Sequence, residues 1–144
     1  MIQYYRVMVT VNLIVSVGKD GFYSVYCKDY PALFGGGDTI EAAVADLRET
    51  LRLTRYEVGR GSALQYPEWL DGEYEFTLNW NLRDLLEYYA GVINPTALGR
   101  ITGIHPKQLW AYQHGHTKPR RKQVEKIESA LHKLGKELSQ VTFL

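Results

Sequence analysis

Apolar and polar residues alternate along the first stretch of the chain. Val7, Val9, Val11, Leu13, Val15 and Val17 take every second position, interleaved with Met8, Thr10, Asn12, Ile14 and Ser16. A period of two sustained this long predicts a β-strand with one buried face. Gly18-Lys19-Asp20-Gly21 supplies hairpin-turn residues, and residues 22–28 predict a second strand. Asp29-Tyr30-Pro31 reads as a break, Ala32-Leu33-Phe34 as a short third strand at most, and Gly35-Gly36-Gly37 as a flexible corner. The period then changes. Ile40, Val44, Leu47 and Leu51 have helical spacing, which predicts a helix that buries these four and turns Arg48, Glu49, Arg52 and Arg55 outward. Asp38 is the expected N-cap, with Glu41 completing a capping box. Residues 59–72 read as a loop from their Gly and Pro content, after which Tyr74, Phe76, Leu78 and Trp80 alternate with Glu75, Thr77 and Asn79. A hairpin and one helix do not stand alone, so this last strand is expected to return to the first sheet, completing three or four strands backed by one helix.

The remainder is helical in pattern. Residues 98–119, LGRITGIHPKQLWAYQHGHTKP, read as two short helices joined by a tight turn at Gly103, with Leu98, Ile101, Ile104, Leu109 and Tyr112 on the inner faces. That is the layout of a helix-turn-helix. Pro106 fits the first turn of the second helix, where its missing N–H is not needed, and His105 falls at the N-cap. Lys107, Gln108, Ala111 and His114 lie on the solvent side, followed after Gly115 by His116, Lys118, Arg120, Arg121 and Lys122. Polar side chains at the start of a helix read base edges and flanking cations hold phosphates. The candidate DNA-binding residues are therefore His105, Lys107, Gln108, Ala111, His114, His116, Lys118, Arg120 and Arg121. A further helix carries Val124, Ile127, Leu131 and Leu134 and is expected to end near Gly135; the apolar tail LSQVTFL, from Leu138, is a candidate strand at a dimer interface. The expected architecture is α+β: a small antiparallel sheet backed by one helix over residues 1–81, then an all-α domain over 82–144. No Pro/Ser-rich linker separates them, so contact between them is expected.

Composition narrows the function class. The 144 residues are 45% apolar and 23% charged, as in an ordinary globular protein. No stretch approaches the ~20 apolar residues of a membrane span. The first residues lack a small-residue cleavage site. Cys27 is the one cysteine, which excludes a disulfide framework and a thiolate metal cluster. A cytoplasmic location with no membrane association is expected. The net charge is only +1, but residues 1–80 hold 7 Lys/Arg against 11 Asp/Glu while residues 81–144 hold 10 against 5, and all four histidines fall in the second part. The basic half is thus the one expected to meet nucleic acid.

Two resemblances follow from quoted residues. Ala97-Leu98, Gly103-Ile104, residues 106–113, Gly115, Lys118 and Pro119, followed by the apolar helix with Val124 and Ile127, resemble the helix-turn-helix of the Xre/lambda-repressor-like family. The chain departs from that pattern at His105, Gln113 and Trp110, where the family usually carries Ser, Thr or Asp, then Glu, then a small polar residue; Trp110 is open to a packing or interface role. Gly21 to Tyr26, Asp29-Tyr30-Pro31 and Gly37-Asp38-Thr39-Ile40-Glu41-Ala42-Ala43 resemble the N-terminal domain of HicB-type antitoxins, which has a partial RNase H-like fold. The two in this order are the layout of one HicB subclass. The resemblance implies an antitoxin of a HicA/HicB-like pair that masks a small HicA-like mRNA endonuclease through its N-terminal domain and binds operator DNA as a homodimer or higher homo-oligomer. Tyr23, Tyr26, Tyr30 and Phe34 are the candidate toxin-binding anchors, because aromatic residues dominate interface hot spots; core burial is the other reading of each. The alternative function is a stand-alone transcriptional regulator whose N-terminal domain senses a small molecule or protein.

An enzyme is not expected. An RNase H-like nuclease needs carboxylates converging on two metal ions, and Asp20, Asp29, Asp38, Glu41 and Asp46 have local roles in turns, caps or a solvated helix flank. His114 and His116 lack a third ligand type, and Cys27 lacks a positioned base. No catalytic residue, metal or cofactor is assigned.

Overall fold

Contacts divide the chain into two units, Met1–Asn81 and Leu82–Leu144. The computed structural model describes residues 8–61 and 66–144, so Val7, the first residue of the predicted opening strand, lies outside the described residues.

In the first unit β1 (Val9–Val17), β2 (Tyr23–Cys27), β3 (Tyr30–Gly37) and β4 (Tyr74–Asn79) form one sheet in the order β3-β2-β1-β4, with α1 (Ile40–Gly59) between β3 and β4 in sequence. Gly18 and Gly21 close the β1–β2 hairpin, Gly21 at a positive φ of 77°. β1 and β2 pair antiparallel, as do β2 and β3, but β4 runs parallel to β1, pairing Val9 with Tyr74 and Leu13 with Leu78. The sheet is mixed rather than antiparallel, because α1 carries the chain back to the end from which β3 started, and such a crossover returns a parallel strand. Val11, Leu13, Val15, Val25, Cys27 and Leu33 from the sheet bury against Ile40, Ala43, Leu47 and Leu51 of α1, and Leu70 of a 3-10 turn at Glu68–Asp71 joins them from within the expected loop. Val44 is only partly buried; Ala43 takes the inner position instead.

Three local expectations are corrected. The third strand is not short and the three glycines are not a corner: β3 extends through Gly37, with Gly35 opposite Val25 and Gly37 opposite Tyr23. The helix lies so close that a side-chain carbon on Gly35 would overlap the backbone of Ala43 and Leu47, and one on Gly37 would stand 2.7 Å from the Ala42 Cβ. The break at Asp29-Tyr30-Pro31 is a tight turn at Lys28-Asp29 that leads into β3, an edge strand where Pro31 withholds no needed ladder bond. The α1 N-cap is Thr39, not Asp38. Its hydroxyl accepts from the Ala42 N–H at 3.0 Å, so Glu41 stands one place too early to reciprocate as a capping box.

The second unit packs α2 (Leu82–Tyr88), α3 (Pro95–Thr102), α4 (Pro106–Gln113) and α5 (Arg121–Ser139) around Leu86, Leu98, Ile104, Leu109, Tyr112 and Ile127. Asn94 caps α3, its side chain accepting from the Ala97 N–H at 2.8 Å. Ile101, expected inside, is 46% exposed, and Thr102 is buried in its place. Thr102 Oγ1 donates to the Leu98 carbonyl (2.7 Å) and accepts from the Ile104 N–H (3.1 Å), so one hydroxyl satisfies the backbone on both sides of the Gly103 turn. Gly103 itself sits at φ 75°, where a side chain is disfavoured. Helix α5 does not end near Gly135; it runs through it to Ser139, a glycine inside a helix being tolerated at roughly 1 kcal/mol. Residues 141–144 form no strand within the chain. Among the described residues no helix is long and apolar enough to cross a membrane.

Candidate functional site

In the second unit α4 presents an exposed face that carries Trp110, and a run of cations follows its end. Leu109 and Tyr112 anchor one side of this helix in the core. Lys107, Trp110, Ala111 and His114 recur at the spacing of a single opposite face. Of these, Lys107, Trp110 and His114 are exposed and Ala111 is half-buried. Gln108, placed on the same face by the sequence pattern, is half-buried because it stands four residues before the buried Tyr112 and so borders the core side. His105 is the N-cap: its Nδ1 accepts from the Lys107 N–H at 3.1 Å, which commits that ring nitrogen to the helix start.

The C-terminal end of α4 is shaped by Gly115 at φ 73°. The Gly115 N–H donates to the Tyr112 carbonyl (3.3 Å) and the His116 N–H to the Ala111 carbonyl (2.9 Å), the pair of bonds that defines a Schellman ending. The reversal returns His116 toward Trp110. The indole stacks with His114 at 4.0 Å between ring centroids and with His116 at 5.2 Å, nearly parallel to the latter. His114 Nδ1 also lies 2.9 Å from the Trp110 carbonyl. Beyond the turn, Lys118, Arg120, Arg121 and Lys122 are exposed; Arg121 pairs with Glu125 at 2.9 Å on a solvated face, where such a pair contributes little. No acidic residue occupies the first turn of α5.

Two residues of this region escaped the sequence pattern. Trp110, which the sequence pattern leaves open to a packing or interface role, stands at the centre of the exposed face. Arg83, on α2, lays its guanidinium against Gly115, 2.9 Å from where a Cβ would be. The only signal for Arg83 is tertiary.

The four aromatic candidates of the first unit separate. Tyr26 and Phe34 are directly opposite one another on β2 and β3, with Ile14 of β1 opposite Tyr26, forming a row on the sheet face away from α1. Phe34 is 60% exposed, and Phe22, not among the candidates, lies over Gly36 beside that row. Tyr23 is on the other face, packed against the core. Tyr30 lines a recess of about 130 Å³ with Val9, Asn12, Cys27 and Trp69.

Two of the candidate carboxylates are engaged locally. Asp20 accepts from the Phe22 N–H (3.1 Å), and Asp46 from the Gly36 N–H (2.9 Å), while Thr50 donates to the Phe34 carbonyl (3.2 Å). Asp46 and Thr50 thus occupy backbone groups on the outer edge of β3. Burial and the neighbouring Asp29 push the Cys27 thiol up to about 11. Among the described residues no three His, Cys, Asp or Glu are grouped to hold a metal ion. In comparisons with known proteins, no family model, curated protein or solved structure matches the chain.

Proposed function

We propose that the chain is a DNA-binding antitoxin of the HicA/HicB kind, in which the second unit binds operator DNA through α4 and the first unit covers a small, basic mRNA-cleaving toxin. The observation that carries the DNA half is the α4 face: Lys107, Trp110, Ala111 and His114 point away from a core built by Leu109 and Tyr112, and the cations 118–122 follow immediately. A helix held by its back, with an open front and cations at its exit, suits insertion in a major groove with phosphates on the flank. The partner half is supported by the resemblance of residues 21–43, by the excess of acidic residues in 1–80, and by the apolar row of Ile14, Tyr26 and Phe34 on the uncharged middle of the sheet. An acidic unit that also exposes aromatic anchors suits a basic partner, with charge speeding encounter and aromatics holding the complex.

The test is co-purification of the tagged chain with the product of the adjacent reading frame. Recovery of a stoichiometric small basic protein that is toxic when expressed alone is the expected outcome. Recovery of the chain by itself, still shifting its own promoter DNA, overturns the antitoxin assignment in favour of a stand-alone regulator with a sensing N-terminal unit.

A further inference from the structure

We infer that Trp110 is a specificity-determining residue that reads the 5-methyl group of a thymine in the major groove, an inference that rests on the DNA-binding role of α4 proposed above. Trp110 lies at the centre of the face that points away from the core and is 48% exposed. It does not serve the core, which Leu109 and Tyr112 fill from the opposite side of the same helix.

The ring is also held. His114, one turn on, stacks at 4.0 Å and binds the Trp110 carbonyl through Nδ1, and the Schellman ending at Gly115 brings His116 to 5.2 Å with planes 9° apart. A ring already fixed loses little rotamer freedom on binding. Ala111 adds a methyl group to the same face.

The chemistry of the groove selects the target. Base edges in the major groove offer hydrogen-bond donors and acceptors, and the thymine C5 methyl is the apolar feature among them. The exposed apolar part of the indole set against donors or acceptors strips their water without replacing it, which disfavours the pair. Against a thymine methyl the same surface buries apolar area on both sides. The preference this creates is thymine over cytosine at one position per half-site, and it depends on the methyl group rather than on hydrogen bonding.

The full chain is used to select duplexes from a random library, and each thymine of the selected site is replaced singly by deoxyuridine, which lacks only the methyl. At one thymine per half-site the substitution weakens binding about fourfold, the factor expected for one buried methyl group. Trp110→Ala abolishes that sensitivity while leaving the response to phosphate-flank substitutions intact, Trp110→Phe retains part of it, and 5-methylcytosine at the same position binds better than cytosine. Wild-type binding indifferent to every deoxyuridine overturns the inference, and requires no variant to fold. Sensitivity that survives Trp110→Ala and disappears in Ala111→Gly also overturns it, assigning the contact to Ala111. If no sequence is enriched from the library, the DNA-binding role itself fails, and this inference with it.

Discussion

Thr102 is the buried polar residue of the second unit, and its hydroxyl closes the turn between α3 and α4 by bonding Leu98 on one side and Ile104 on the other. Thr102→Val keeps the shape but leaves the Ile104 N–H unpaired in a buried site, an expected loss of about 1–3 kcal/mol in a urea titration, whereas Thr102→Ser loses less because the hydroxyl stays. An unchanged midpoint for the valine variant would show that the turn does not need that hydroxyl. Helical spacing pointed to Ile101 because counting apolar positions has no term for a side chain whose task is to satisfy backbone. Cys27 gives a pH dependence. Its native thiol ionises near 11, above the ordinary value of 9.0, so between these values the unfolded chain releases a proton that the folded chain keeps. Stability contributed by the buried thiol is therefore complete below about 9 and declines as pH rises toward about 11. At pH 8 a thiol-specific reagent is expected to label the native protein far more slowly than the denatured one; equal rates contradict the burial of Cys27.

At the scale of elements, the contact between β3 and α1 is set by what Gly35 lacks. Gly35→Ala forces a methyl group into the helix backbone at Ala43 and Leu47, neither of which is the movable end of a side chain. The expected loss is about 1–3 kcal/mol or more by chemical denaturation, and a variant within a few tenths of the parent would mean the helix can shift freely. Strand β1, its hairpin, α1 and the return of β4 were legible because each announces itself by a period or by turn residues. The role of the glycine run was not, since composition alone suggests a corner and only the approach of a helix distant in sequence makes the residues strand. The same reason hid the parallel direction of β4, which follows from the crossover and not from the pattern of residues 74–80. Asp38 and Thr39 are both good caps, and the choice between them was decided by backbone geometry at one residue. On α4 the outward face of Lys107, Ala111 and His114 was legible from helical spacing and the cations from composition; the central place of Trp110 required its two histidine neighbours, one of them brought back by the Gly115 turn.

For the whole molecule, the two units carry opposite charge, and the proposal divides two binding tasks between them. Within the second unit the tasks divide again. Lys118→Ala and Arg120→Ala are expected to weaken binding to all duplexes and to flatten the dependence of log affinity on log salt by about 1 each, as one phosphate contact is lost. Lys107→Ala is expected to lower preference for the selected sequence, by about 1–3 kcal/mol if a bidentate base contact is removed, with less effect on random DNA. Equal losses on both duplexes contradict the placement of α4 in the groove. The division between units is tested most directly by growth of cells that express the product of the adjacent reading frame together with variants of this chain. The account predicts that wild type restores growth, that Phe34→Asp on the open sheet face loses rescue while still shifting promoter DNA, and that Lys118→Ala with Arg120→Ala retains rescue while losing the shift. Rescue unaffected by Phe34→Asp and abolished by the DNA-face variants, or an adjacent product that is harmless alone, would contradict it.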